Sequence, residues 1–282
     1  MVMRRIVVGI VVVSALAWVQ TSRVVFGQAA PAQKSAAAAP PKAQAPVAAA
    51  PIGSMPLFNV TILQIKPDMV LEWQDFQQKE TIPMLQKGGV KQRRVFQTVI
   101  GPAFEFATVT PATNMAERDG ESPVVKALGA DGARAYGQRL RRFVASQRTL
   151  ALRLRTDLSW VPDPNAKLPI VVLSNYSLAA GRAADFESYV KTEVMPAHKK
   201  LKTGGYNVYQ TQFGGDPTFY VATLVPNFAE IDKGPAATRA FGQAAAARGQ
   251  QKLIGVVTHV ERTVLREMPE LSFAPRQMSD NR

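Results

Sequence analysis

The sequence contains no cysteine and only two histidines among its 282 residues. Without thiols the chain forms no disulfide and holds no thiolate-bound zinc or iron–sulfur cluster, and a cysteine nucleophile is excluded. Two imidazoles, His198 and His259, are too few for a histidine-rich metal site. We therefore expect no bound metal.

Several common site motifs are also missing. The chain has no Gly-x-Gly-x-x-Gly turn, no Walker loop, no Gly-x-Ser-x-Gly elbow and no His-Glu-x-x-His pair. Its formal net charge of +13 favours anionic partners, such as an anionic envelope surface. No aromatic-interleaved basic motif accompanies that charge, so we expect no nucleic-acid partner.

The N-terminal segment is typical of an export signal. Residues 1–5 are basic, and the apolar run over 6–19 is shorter than the roughly 20 residues that span a bilayer. Small residues at Gly27 and Ala29 predict a signal peptide over 1–29 that is cleaved after Ala29. An uncleaved anchor is the alternative. Either way, we expect an exported protein, periplasmic or extracellular, that stays tethered to the membrane if the signal remains.

A linker rich in alanine and proline follows over 30–56, where recurring prolines interrupt any helix. The rest of the chain repeats itself. The segment VFQTVIGPAFEFATVTP at 95–111 resembles YNVYQTQFGGDPTFYVATLVPN at 206–227. Two further landmarks recur in the same order, Asn-x-Ala-Glu and Ala-aromatic-Gly-Gln, at offsets of 105 to 115 residues. These matches predict a repeat over 57–160, a second over 168–266, and a polar tail over 267–282.

Each repeat shows hydrophobic periodicities in the order β-α-β-β-α-β. They predict, among other elements, strands over 57–65, 94–100, 206–213 and 218–225 and helices over 131–145 and 183–201. That order is the ferredoxin-like one, which leaves one face of a four-stranded sheet uncovered. Two such units in one chain can cover each other's free face. We therefore expect an α+β protein in which two fused ferredoxin-like βαββαβ repeats pack sheet to sheet as an intramolecular α+β barrel.

This tandem pattern resembles the dimeric α+β barrel superfamily and is most similar to NIPSNAP-like proteins. The resemblance covers about 57–266 and rests on topology and the internal repeat. It implies a monomer or homodimer and a range of activities, including cofactor-free monooxygenases, isomerase-like proteins and haem-binding enzymes. No residue set of those active sites transfers to this chain. The residues themselves indicate no cofactor. Haem is implied as a candidate by the resemblance alone.

A candidate catalytic pair lies on the last predicted strand, 254–265. Alternation places His259 and Glu261 on one face of this strand. We expect the matching face in the first repeat to carry Leu150, Leu152 and Leu154. A histidine beside a carboxylate can act as a general base, with Glu261 orienting the ring. A solvent-facing or structural histidine is the alternative.

A candidate ligand site draws on aromatic residues of the second repeat. We expect Tyr176, Tyr209 and His198 to contribute to an apolar pocket between the two sheets. A charged histidine at a helix C-terminus is the alternative for His198, whose counterpart in the first repeat is Leu85. The glutamates Glu80 and Glu193 recur at matching helix positions, which favours a structural role for both.

Seven arginines between 134 and 155 suggest a positive patch. Three functions therefore stay open: a module that binds a small apolar or aromatic molecule, an enzyme of monooxygenase or isomerase type that uses His259, and an envelope-associated protein that uses an arginine-rich face.

Overall fold

The computed structural model describes residues 54–274. The predicted signal peptide, most of the predicted linker and the end of the predicted tail lie outside these residues. No helix in the described part is long and apolar enough to cross a membrane.

The first half contains four strands and three helices. In chain order they are β1 (Leu57–Ile65), α1 (Val70–Phe76), α2 (Ile82–Lys87), β2 (Arg94–Ile100), β3 (Glu105–Ala112), α3 (Pro123–Phe143) and β4 (Val144–Leu154). The predicted second helix over 131–145 begins earlier, because Pro123 occupies the first turn and the Ser122 hydroxyl caps it by accepting from the Val125 amide.

The second half repeats this order with its second helical region divided. Its elements are β5 (Ile170–Leu178), α4 (Ala183–Tyr189), α5 (Met195–Leu201), β6 (Tyr206–Phe213), β7 (Thr218–Val225), α6 (Ala229–Asp232), α7 (Ala236–Phe241), α8 (Gln243–Gln251) and β8 (Val257–Glu267). Its strands are rich in β-branched and aromatic residues, which suit a pleated, half-buried surface.

A single shift of 113 residues relates the two halves. Leu57 and Ile170 begin β1 and β5, and Val144 and Val257 begin β4 and β8. Local irregularities obey the same shift: Gly129 and Gly242 both leave the helical conformation with φ of 70° and 82°. Glycine adopts such positive φ values at no steric cost. The landmarks at offsets 105 and 115 are therefore not structurally equivalent positions.

Both halves also carry a π-helical turn in their first helical region. The turns span Gln77–Thr81 and Val190–Val194, so the helix expected over 183–201 is interrupted. Each turn contains one recurring glutamate. Glu80 pairs with Arg139, and Glu193 pairs with Lys252, which is the residue equivalent to Arg139. These ion pairs join the two helical regions of each half and support the structural role expected for the glutamates.

The eight strands form one closed barrel in the order β1-β3-β2-β8-β5-β7-β6-β4. Each half contributes four neighbouring strands, and the halves join edge to edge at β2–β8 and β4–β6. The barrel thus closes within one chain. Closure occurs by hydrogen bonding along both seams, and it leaves none of these eight strands with a free edge.

Side chains divide between the barrel interior and the helix-covered outside. Outside, Trp73 and Phe106 pack together under the helices of the first half, with ring centroids 4.4 Å apart. Inside, a smaller apolar cluster around Phe96 and Leu265 fills part of the barrel. The alternation of strands assigns odd and even positions to these two environments.

The predicted polar tail is partly structural. Leu271 is fully buried in the first half's core, and the Ser272 hydroxyl accepts a hydrogen bond from the Val95 amide. Ser159 accepts from Val208 in the same way at the equivalent place. The second repeat therefore extends to Phe273, which bridges to Arg93 as Trp160 bridges to Tyr206.

Candidate ligand pocket

A cavity of about 850 Å³ lies in the second half, between the outer face of β5 and β7 and helices α4, α5 and α7. Apolar side chains supply much of its wall, including Val172, Val221, Phe186, Val190 and Ala237. The volume falls within the roughly 300–1,000 Å³ of small-molecule sites. We call it the outer pocket.

The outer pocket exists because large residues of the first half are small here. Met84 is replaced by Ala197, and Val124 is replaced by Ala237; both alanines line the pocket. Tyr136 stacks on Phe76 in the first half, with centroids 5.4 Å apart.

Gly249 stands at the position equivalent to Tyr136, so Tyr189, the equivalent of Phe76, has no such ring against it. A Cβ on Gly249 would lie 3.0 Å from Glu193 Oε2, so the Glu193 side chain occupies the space beside this glycine. The difference between the halves that opens the outer pocket is therefore at Ala197 and Ala237.

His198 is a buried polar residue of the pocket wall, with 6% of its surface exposed. Its Nδ1 shares a 2.8 Å hydrogen bond with the Thr203 hydroxyl, and its ring lies 4.7 Å from that of Tyr206. Burial, reinforced by the Arg239 guanidinium, lowers the pKa of His198 to about 4. The ring is therefore neutral near pH 7, which excludes the alternative of a charged histidine at the helix end.

Two tyrosines provide further polar groups. The Tyr176 ring lies 5.0 Å from Phe186, and Tyr189 is its neighbour in the pocket wall. Burial, together with nearby Tyr176, raises the pKa of Tyr189 to about 12. Near neutral pH this hydroxyl therefore keeps its proton and can donate a hydrogen bond.

The structure separates the three residues expected to bind a ligand. Tyr176 and His198 both line the outer pocket. Tyr209 lies inside the barrel, in the cluster around Phe96, and meets Phe58 edge to face at 5.7 Å. The expected apolar pocket between the two sheets is thus misplaced, because apolar side chains fill that part of the interior.

His259 and Glu261 share a strand face, as alternation predicted, but the structure gives no hydrogen bond between them within residues 54–274. Both are exposed. Their equivalents are Ser146 and Arg148, so the expectation of a leucine face in the first half is wrong; it followed from the misaligned landmark. Glu261 lines a second, polar cavity at one end of the barrel, and His259 lines neither cavity. A catalytic role for the pair stays a prediction.

The seven arginines do not form one exposed face. Arg153 and Arg155 are buried, and Arg153 donates to the Met55 carbonyl. Arg155 pairs with Asp157 and Glu187. Arg148 lines the polar cavity. Arg134, Arg139, Arg141 and Arg142 are exposed on α3, and Arg148 is exposed as well. The predicted patch therefore keeps five exposed arginines and loses Arg153 and Arg155 to buried positions.

Metal or haem binding finds little support among these residues. Within residues 54–274, no cluster of three acidic or histidine side chains could hold a metal ion. The outer pocket offers one imidazole, His198, which is held by Thr203 and Tyr206. Because an axial ligand must present its ring nitrogen to open space, this constrained, nearly inaccessible ring does not fit haem.

Comparison with known proteins identifies the fold and no family. No protein-family model and no curated protein matches the sequence. The chain shares 11% identity with a monooxygenase-like protein from Lactobacillus acidophilus NCFM, with a TM-score of 0.51, over 78% of this chain and 97% of that one. An anthrone oxidase-like protein gives 9% identity and a TM-score of 0.51, over 77% and 93% of the two chains.

The chain therefore shares the fold of these two proteins. A NIPSNAP family protein from Agrobacterium tumefaciens str. C58 matches 40% of this chain and 98% of its own, with 16% identity and a TM-score of 0.31. That match spans less than half of the present chain and carries no argument about function.

Sequence reasoning missed Tyr189, Ala197 and Ala237. The contrast between Met84 and Ala197 is visible in the sequence once the repeats are aligned without gaps. Landmarks at differing offsets concealed it.

Proposed function

We propose that this protein binds a small apolar or aromatic molecule in the outer pocket. One observation carries the proposal: Met84 and Val124 of the first half are replaced by Ala197 and Ala237, and both alanines line the outer pocket. Loss of packing in one copy of a duplicated unit makes sense if a ligand replaces the missing side chains.

The walls indicate the chemistry of the ligand. Phe186 and the tyrosine rings suit a flat apolar body, while the Tyr189 hydroxyl offers a hydrogen bond to a single polar group. Arg262 also lines the pocket and makes no ion pair within the described residues. A ligand with an apolar body and one polar or acidic end fits this arrangement.

Native mass spectrometry with an absorption spectrum tests the proposal on protein purified without denaturation. We expect bound mass from an apolar compound in the wild type and none in Ala197→Met, which restores the first half's residue. Ala247→Met adds the same side chain on the exposed surface of α8 and should retain the ligand. His259→Ala should retain it as well.

Loss of ligand from Ala247→Met to the same extent, or retention by Ala197→Met, would contradict a site in the outer pocket. Because added methylenes in a packed core cost about 1–3 kcal/mol, Ala237→Val serves as a milder variant with the same expected direction. Thermal unfolding of each variant verifies that the fold persists.

A second candidate is a monooxygenase-like enzyme. Its support is the shared fold with the monooxygenase-like and anthrone oxidase-like proteins. If the chemistry uses His259 as base with Glu261 orienting it, His259→Ala abolishes turnover of a bound aromatic compound and leaves its binding intact. Turnover that survives in His259→Ala excludes this mechanism.

We further propose that the chain is an exported, NIPSNAP-like tandem of ferredoxin-like units. The strand order β4-β1-β3-β2 recurs as β8-β5-β7-β6, which supports the tandem interpretation. Export rests on the N-terminal sequence. The intact mass of the protein purified from its native host should equal that of residues 30–282. A mass that includes residues 1–29 contradicts cleavage.

A further inference from the structure

A polar cavity of about 380 Å³ occupies one end of the barrel interior. Six strands line it, and both halves contribute. Its charged and polar groups are Glu105 on β3, Glu261 on β8, Arg148 on β4, Tyr220 on β7 and Asn175 on β5. The apolar cluster around Phe96 fills the interior elsewhere, so this cavity is separate from the outer pocket.

The charges are distributed unevenly around the barrel. Arg148 lies opposite Ile62 in the β1–β4 ladder, and Glu261 lies opposite Asn175 in the β5–β8 ladder. Because Ile62 and Asn175 are equivalent under the shift of 113 residues, so are Arg148 and Glu261. Equivalent positions of the two halves thus carry opposite charges on opposite sides of the cavity.

The other two groups lie between these charges. Glu105 is on β3, which is separated from Arg148 on β4 by β1 alone and from Glu261 on β8 by β2 alone. Tyr220 is on β7, which is separated from Glu261 by β5 alone and from Arg148 by β6 alone. Burial raises the pKa of the Glu105 carboxyl, with Glu261 adding to the effect and Arg148 opposing it.

Several of these groups lack a partner within the described residues. The Asn175 Oδ1 atom is fully buried and accepts no hydrogen bond. Neither Arg148 nor Glu261 takes part in an ion pair or a side-chain hydrogen bond in residues 54–274. A buried acceptor without a donor costs free energy, so this atom is available to a donor that enters the cavity.

We propose that this cavity binds a small zwitterion that carries an ammonium group and a carboxylate. The ammonium faces Glu105 and Glu261 and donates to Asn175 Oδ1. The carboxylate faces the Arg148 guanidinium and the Tyr220 hydroxyl. Glu261 and Arg148, on opposite sides of the cavity, match the two charges of such a molecule better than the single charge of a simple anion or cation.

Calorimetric titration of the whole protein with 4-aminobutanoate, butylamine and butanoate tests the proposal. The zwitterion should bind at least about tenfold more tightly than either singly charged analogue, because it alone satisfies both sides. Equal binding of butylamine or butanoate overturns the proposal. So does the lack of any heat with the zwitterion at concentrations on the order of 10 mM.

Two variants connect the binding to the cavity. Arg148→Gln and Glu261→Gln should each weaken binding about tenfold or more. Arg141→Gln and Glu121→Gln change the same charges at exposed surface positions and should bind as the wild type does. Wild-type affinity in both cavity variants overturns the assignment.

The analogue comparison on the wild type stands even if a variant fails to fold. Ala197→Met should leave zwitterion binding unchanged, which keeps this test independent of the outer pocket.

Discussion

Replacing Arg155 with methionine should lower the free energy of unfolding by about 3–5 kcal/mol, the usual result of removing one partner of a buried ion pair. The Arg155 side chain is 3% exposed. Its Nε and Nη2 donate to the Asp157 carboxylate at 2.9 Å, and Nη1 donates to Glu187 and to Gln210. Without the guanidinium, the partly buried Glu187 carboxylate loses its counter-charge, and Asp157 keeps only Lys191 at 3.4 Å.

Urea unfolding measures this effect, and the first half supplies a matched rescue. Met268 and Gln74 occupy the positions equivalent to Arg155 and Glu187. The double variant Arg155→Met, Glu187→Gln should therefore recover part of the loss. Arg139→Met breaks the half-exposed pair with Glu80 and should cost about 1 kcal/mol or less. An equal loss in Arg139→Met and Arg155→Met contradicts the expected role of burial.

Stability should also fall in mild acid because of His198. The pKa of His198 is about 4 in the folded protein, against about 6.5 in an unfolded chain. The unfolded state therefore binds more protons between these values, and stability rises with pH through that window. The contribution is fully present above about pH 6.5 and falls by about 3 kcal/mol as the pH approaches 4.

His198→Leu isolates this contribution, since Leu85 is the equivalent residue of the first half. The difference in unfolding free energy between wild type and His198→Leu should change by about 3 kcal/mol from pH 7 to pH 4. Urea unfolding at each pH measures it. A difference independent of pH would show that His198 titrates normally. A pH titration of the imidazole proton signals by NMR gives a second measurement of the pKa of His198.

The sequence predicts the regular parts of the fold well. Strands expected over 57–65, 94–100, 206–213 and 218–225 are confirmed at both ends, because alternation and turn residues define them locally. The predicted helices are less accurate. The kink at Gly129 and the π-helical turns depend on packing between helices. The hydrophobic periodicity of the sequence indicates neither of them.

The sites were harder to predict for a different reason. Tyr176 and Tyr209 are both aromatic strand residues, and composition does not say that one faces the helices and the other the barrel interior. The sequence does not predict the polar cavity, because Glu105 and Arg148 lie far apart in sequence and are brought together by barrel closure. An alignment of the repeats at the constant shift of 113 residues places Arg148 at the position equivalent to Glu261.

Closure of the barrel within one chain has a genetic consequence. In a barrel made by two identical subunits, every substitution appears on both sides of the symmetry axis at once. An arginine at the position of Arg148 would then face a second arginine, and a pocket emptied on one side would be emptied on both. Fusion of the two halves frees each copy to change alone. A symmetric homodimer could not encode the opposed charges of Arg148 and Glu261, or the replacement of Met84 and Val124 by Ala197 and Ala237 in one half only.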